Sequence, residues 1–264
     1  MSQFLGTAAP LTSTGVGQAT NQLGVTAAQL WAVIQVETGG CGFLPDRRPE
    51  ILFEHRLFQK ATNGRFDRDA PDLSNSGHNY GAAGAHQYDR LESAMALGGP
   101  DIADAALKCT SWGLGQVLGS NATSVGFPNV QKMVEAMTGS EDAQLQAMVT
   151  FIMNNNLQRA LSGDDFPTFA RGYNGPNFAQ NHYDRQLAAA NAKFVNGGLP
   201  DLTVRTGQVL LRFLGHDPGR IDGIMGSRTR SALSGALGPS IAAVNEMTIT
   251  EDVVAQLQER LAHM

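Results

Sequence analysis

The stretch Asn196-Gly197-Gly198-Leu199-Pro200 constrains the fold of this 264-residue chain more than any other feature. Paired glycines stop a helix because left-handed and extended backbone are open to them, and a proline just beyond cannot resume it. The chain is therefore expected to divide, with a linker over residues 197–202. The C-terminal part, residues 203–264, is small for an independent core but suits a compact three-helix module. Its first helix is expected to run from Thr203 to Leu214 and stop at Gly215, the second to open at Ser227, and the third near Thr248 or Thr250.

The larger N-terminal part is mainly helical in pattern. Residues 1–20, rich in Thr, Gly, Ala and Ser, are expected to form a loosely packed arm, with the arm ending at residue 21. Thr26 and Gln29 have capping-box spacing ahead of an apolar helix. There Leu30, Val33, Ile34 and Glu37 fall at i, i+3, i+4 and i+7, so the stripe that packs inward ends in a carboxylate, and Gly39-Gly40 closes the helix. Glu50-Ile51-Leu52-Phe53-Glu54 reads as a short strand, and Asn63–Tyr88 as a long ordered loop of the kind that bears function. Helices are predicted over Ile102–Lys108 and after Asp165. Another is predicted after a second capping box at Thr138 and Glu141, with Leu145, Met148, Val149 and Ile152 as its buried stripe. A longer helix is predicted after Pro176, running to about Phe194.

Composition narrows the function classes. Hydrophobic residues at 42% and charged residues at 16% are too apolar a mixture for a disordered chain. The net charge of −5 argues against a nucleic-acid partner, which calls for a basic face. No window has the length and apolarity of a membrane span, and Met1 to Gly17 carries no Lys or Arg and no sustained apolar run, unlike a signal peptide. Two cysteines, Cys41 and Cys109, make no disulfide framework and fit synthesis in a reducing compartment; a bond between them and two free buried thiols both remain open. Six histidines outside any His-Glu-x-x-His context give no zinc site, so no metal or cofactor is expected. Nothing in the pattern suggests heptads, and a monomer is expected.

Three segments carry polar chemistry. Glu37 on an apolar stripe is desolvated when charged, which raises its pKa toward the range a general acid needs; pairing with Arg47 or Arg48 is the structural alternative. Ser111-Trp112-Gly113-Leu114-Gly115-Gln116 brings backbone close to something. Its Trp is either a sugar platform or the buried member of a tight turn. Ala170-Arg171-Gly172-Tyr173-Asn174-Gly175-Pro176 presents Tyr173 and Asn174 from a rigid turn, unless Asn174 or Asn177 caps the next helix.

In this order the three segments resemble the lysozyme-like glycosidases that act on peptidoglycan, and most closely the N-acetylmuramidase family found in many phage endolysins. The resemblance spans roughly residues 22–194. It rests on Val36-Glu37-Thr38-Gly39-Gly40, Arg48-Pro49-Glu50-Ile51-Leu52-Phe53-Glu54-His55, Ser111-Trp112-Gly113, Phe169-Ala170-Arg171-Gly172-Tyr173-Asn174-Gly175-Pro176 and Tyr183. It implies a lysozyme-like catalytic domain over 22–196 with a minor β element, Glu37 as proton donor, and a cleft lined by Ser111, Gly113, Gln116, Tyr173 and Asn174. Glu54 is the candidate second carboxylate, with a salt bridge to Arg47, Arg48 or Arg56 as its alternative; Asp46 is a weaker candidate. The C-terminal string Ile221-Asp222-Gly223-Ile224-Met225-Gly226, with Thr229, Ala232 and Leu233, resembles a three-helix peptidoglycan-binding domain over 203–264, which implies a groove built around Asp222 and Gly223.

The resemblance implies an endolysin hydrolysing the β-1,4 bond between N-acetylmuramic acid and N-acetylglucosamine. Such an enzyme accumulates in the host cytoplasm and reaches the wall once the membrane opens. A lytic transglycosylase, which closes an anhydro ring on the same bond, is the alternative within enzymes. A non-catalytic wall-binding scaffold is the alternative of another class.

Overall fold

The computed structural model describes residues 4–176, 178–238 and 248–264. It is mainly helical with one small sheet, a larger N-terminal body that carries the sheet being followed by a C-terminal helical module. The body is organised on α2 (Ala27–Thr38). Its capping box is formed: the Gln29 N–H donates to the Thr26 hydroxyl at 3.2 Å, and the Thr26 N–H to Gln29 Oε1 at 2.8 Å. Every residue from Ala28 to Ile34 is buried, so the helix is wrapped on all sides rather than along one stripe. α1 (Ser13–Leu23) and α10 (Tyr183–Gly197) pack against it. Gly39 ends α2 in the left-handed region at φ +66°, its N–H donating to Gln35 O.

Around this axis lie β1 (Ile51–Phe53), α3 (His55–Ala61), α4 (His86–Met95), α5 (Pro100–Lys108), β2 (Thr110–Trp112) and β3 (Val117–Leu118). They are followed by α6 (Val130–Gly139), α7 (Glu141–Asn154), α8 (Gln158–Ser162) and α9 (Phe166–Tyr173). The strands form an antiparallel sheet in the order β1-β2-β3, with Ile51 opposite Trp112 and Ser111 opposite Leu118. The strand expected over 50–54 is present, and the loop expected over 63–88 gives way to α4 at His86. Among the described residues no helix is long and apolar enough to cross a membrane.

Four expectations are corrected. Residues 4–23 are not a loose arm: Phe4, Ala8, Leu11, Ala19 and Leu23 are buried, and Ala8 and Ala9 hydrogen-bond to the end of α6. Thr138 and Glu141 make no capping box. The cap of α7 is Ser140, whose hydroxyl accepts from the Ala143 N–H, while the Thr138 hydroxyl donates back to Glu135 O. The helix expected directly after Pro176 is preceded by a 3₁₀ turn, Phe178–Asn181, and starts only at Tyr183. Asn174 caps the end of α9 instead of the start of α10, whose N-cap is His182; Asn177 lies outside the described residues.

The C-terminal module comprises α11 (Leu202–Phe213), α12 (Ser227–Leu237) and α13 (Glu251–Ala262), close to the expected starts. It is docked, not strung on a tether. Its core of Val209, Leu210, Phe213, Leu233 and Leu257 takes in Ala8, Cys41 and Phe43 from the body, with Phe43 meeting the Phe213 ring edge-on at 6.3 Å. Arg205 of α11 is fully buried and pairs with Glu141, the first residue of α7, through Nη1–Oε2 and Nη2–Oε1 contacts of 2.7 Å each. The same guanidinium donates to Gly40 O from Nη2 at 2.6 Å and from Nε at 3.1 Å. Glu141 also accepts the N–H groups of Gly42 and Leu11, each at 2.8 Å. Burial alone would raise the Glu141 carboxyl. The Arg205 charge, its hydrogen bonds and the two backbone donors outweigh burial and hold it below the usual value.

A buried carboxylate that loses its only cation costs far more than the net worth of the pair. Arg205→Ala is expected to lower the unfolding free energy in urea by about 3–5 kcal/mol, and Arg205→Met combined with Glu141→Leu to recover much of that loss. Because the folded-state pKa of Glu141 is depressed, its contribution is complete above the ordinary glutamate pKa of about 4.3 and is lost as pH falls below it. The gap in stability between the wild type and the double variant should therefore shrink on acidification.

Candidate active site

A cavity of about 570 Å³ opens between the end of α2, the sheet and the start of α10. Glu37 enters it from the last turn of α2, Glu54 from the β1–α3 junction, Ser111 from β2, Gln116 from the β2–β3 turn, and Tyr173 and Asn174 from the end of α9. Six of the seven residues expected there thus line one cavity. Gly113 does not. It sits in the turn at φ +66°, where a Cβ would come within 2.6 Å of the Gln144 side chain. The Gln144 amide in turn accepts from the Leu114 N–H at 2.8 Å and donates to Met137 O at 2.8 Å. Gly113 therefore lets the hairpin close on α7 and sets where Ser111 and Gln116 stand. Trp112 is fully buried and donates from Nε1 to Leu107 O, which makes it the core of the turn and not a sugar platform.

Glu37 pairs with neither Arg47 nor Arg48. Arg48 is held by Asp46 at 2.7 Å, and Arg47 reaches the Gly6 carbonyl. The partner of Glu37 is the buried Tyr183, whose hydroxyl donates to Glu37 Oε1. Burial pushes the Glu37 pKa up to about 7, and the Tyr183 hydrogen bond offsets only part of that rise. A carboxyl poised there holds a proton at neutral pH and can also release it. The Tyr173 and Tyr183 hydroxyls are raised well above their ordinary value by burial and then by the nearby Glu37 charge, so both remain protonated donors. Tyr173 donates to Gly115 O at 2.6 Å and stacks on Phe169 at 5.2 Å, tying α9 to the β2–β3 turn.

Glu54 makes none of the ion pairs found among the described residues. Burial raises its pKa, against the Tyr80 hydroxyl and the Arg56 charge. Tyr80 comes from the long loop and lies against His55 at 4.7 Å between ring centres. The Gln116 amide nitrogen donates to Glu50 O and Gly113 O, which leaves its oxygen as the group it offers the cavity. Asp46 lies outside this cavity. Cys41 and Cys109 are free and buried. In the C-terminal module the Asp222 carboxylate accepts from the Ile224 N–H, and Gly223 donates to Gln208 Oε1, so the pair shapes a turn and lines none of the described cavities.

Two neighbours of the carboxylates were given no role by the sequence reading. Tyr183 stands in the motif pattern, but nothing local tells that a residue 146 positions away touches Glu37. Tyr80 lies in a loop whose polar composition marks it as functional without singling out one side chain.

Residues 26–195 match the family model of N-acetylmuramidases. Among solved structures, the crystal structure of Burkholderia AP3 phage endolysin is similar, at 35% sequence identity and a TM-score of 0.61 over 71% of each chain. No curated protein sequence matches. The chain belongs to the N-acetylmuramidase family and is a glycoside hydrolase of bacterial peptidoglycan.

Proposed function

We infer that Glu37 is the general acid that cleaves the β-1,4 bond between N-acetylmuramic acid and N-acetylglucosamine. One observation carries this: Glu37 lies in the last turn of a helix wrapped on all sides up to Ile34, faces the 570 Å³ cavity, and is tuned by burial to hold its proton near pH 7. Glu37 gives that proton to the glycosidic oxygen as the bond to the anomeric carbon breaks. The oxocarbenium-like sugar then takes a water, for which Glu54, steadied by Tyr80, is the orienting base. Ser111, the Gln116 carboxamide oxygen and Asn174 offer hydrogen bonds to sugar hydroxyls and N-acetyl groups, and Tyr173 shapes the floor. The C-terminal module acts as a wall-binding unit, its loops shaped by the Asp222–Gly223 turn, and raises the local concentration of substrate at the cavity. The likeness to a phage endolysin supports a lytic role at the wall after the host membrane has opened.

Digestion of purified peptidoglycan, read by mass spectrometry, tests the reaction. The wild type is expected to release fragments with reducing N-acetylmuramic acid ends, and Glu37→Gln to be slower on the order of 10²–10⁴-fold. Anhydro ends, lighter by one water, would assign the chain to ring-closing transglycosylation instead. In a thermal melt at pH 8, Glu37→Gln should be at least as stable as wild type, since it removes a desolvated charge.

The pH profile supplies a separate check. Initial rates at low substrate should fall as pH rises through about 7, because the acid form of Glu37 is lost. Tyr183→Phe removes a donor that favours the carboxylate, so this limb should move to higher pH while the maximal rate drops. A limb that stays in place would show that Tyr183 does not tune the acid.

A further inference from the structure

A second cavity, of about 380 Å³, lies at the seam between the body and the C-terminal module, and the reaction described above makes no use of it. One wall is the chain leaving α2, with Thr38, Gly39 and Pro45; the other is the loop after α11, with His216 and Arg220, joined by Arg212 from the last turn of α11. Val36 and Glu37 line the catalytic cavity, whereas Thr38 and Gly39 line this one. The last turn of α2 thus serves both cavities, Val36 and Glu37 facing one and Thr38, with Gly39 just beyond it, facing the other.

The seam is basic in a chain whose net charge is −5. The one carboxylate that lines it among the described residues, Asp217, is engaged by Arg228. Arg212, half-buried, and Arg220, exposed, form no ion pair among the described residues, although Glu50 and Asp217 stand within electrostatic reach of Arg212. Guanidinium groups on a concave surface favour carboxylates and phosphates, which they can bind through paired hydrogen bonds. Both walls are fixed in advance. The Arg205–Glu141 pair clamps them, and the Ile221 carbonyl approaches Gly40 so closely that a Cβ there would stand 2.5 Å from it. Binding would therefore require little ordering. The volume falls at the small end of ligand pockets, about 300–1,000 Å³, which suits the end of a peptide and not a glycan strand.

We propose that this seam cleft binds the carboxylate-bearing peptide stem of peptidoglycan, with Arg212 and Arg220 as the carboxylate-binding residues. The proposal rests on the muramidase reading of the neighbouring cavity: a stem hangs from each muramyl sugar, and the chain segment that carries Glu37 continues directly into the wall of the seam. The cleft would then select peptide-substituted strands, with recognition divided between the two halves of the chain.

Isothermal titration of the full chain tests this without turnover. The probes are the tetrapeptide L-Ala-γ-D-Glu-diaminopimelate-D-Ala and its fully amidated counterpart, with glycerol phosphate as competitor. The free acid is expected to bind wild type and Glu37→Gln alike. Amidation, or Arg212→Gln with Arg220→Gln, is expected to weaken binding at least tenfold, and Arg220→Gln alone, at an exposed position, should weaken it measurably. No binding to wild type, equal binding of acid and amide, or binding untouched by both arginine variants would overturn the proposal. Displacement of the peptide by an equimolar amount of glycerol phosphate would overturn the choice of carboxylate and point to wall phosphate. Because Glu37→Gln is read here by binding and above by cleavage, failure of one reading is distinguishable from failure of the other.

Discussion

The Arg205–Glu141 pair is the contact on which the rest of this structure depends. It lies where four segments converge: the N-terminal stretch through the Leu11 N–H, the exit of α2 through Gly40 O and Gly42 N–H, the start of α7 through Glu141, and α11 through Arg205. Every oxygen of the carboxylate is occupied by donors, which is the condition under which a buried ion pair can be tolerated at all. The pair also occupies the left-over carbonyl of Gly40, just past the end of α2, which would otherwise be an acceptor without a donor in the interior. Stability and geometry are joined here: the contact that seats the module also fixes the turn three residues beyond Glu37.

Glu37 is tuned by what surrounds its helix. A helix exposed on one face would leave the carboxylate in water near its ordinary pKa. α2 is buried on every side up to Ile34, so its last turn emerges into a cavity already screened by aromatic side chains. Tyr183 then opposes part of the rise, and the carboxyl settles at about 7. Tyr173 has a different task. Its hydroxyl is spent on Gly115 O, so it ties α9 to the β2–β3 turn across the cavity.

What the sequence disclosed is what short-range chemistry encodes. The Thr26–Gln29 box, the Gly39 stop, the strand around Leu52 and the break at 196–200 each depend on residues a few positions apart, and each is present. Glu37, Glu54, Ser111, Gln116, Tyr173 and Asn174 meet in one cavity, as the order of the motifs implied. The errors share one cause. Thr138 and Glu141 have the spacing of a capping box, but Glu141 was taken by a guanidinium 64 residues away, a competitor no local pattern reveals. Residues 4–23 look like a polar arm by composition, yet Phe4, Leu11 and Leu23 are sparse apolar anchors that find their pockets only in the folded body. Gly113 entered the expected cleft through the family resemblance; backbone does come close there, but the neighbour is Gln144.

The joint between body and module has a consequence for how such chains can be recombined. Wall hydrolases are often treated as beads on a string, in which a targeting unit can be exchanged at the linker. Here the seam at Gly198–Asp201 is short, and the surfaces behind it are moulded to each other: Phe43 against Phe213, Gly40 against the Ile221 carbonyl, Glu141 around Arg205. A foreign module joined at Pro200 would leave the body with an uncovered Cys41–Phe43 surface and an interior acid without its base. Exchange at the linker would thus have to carry the matching surface of the body along with the module.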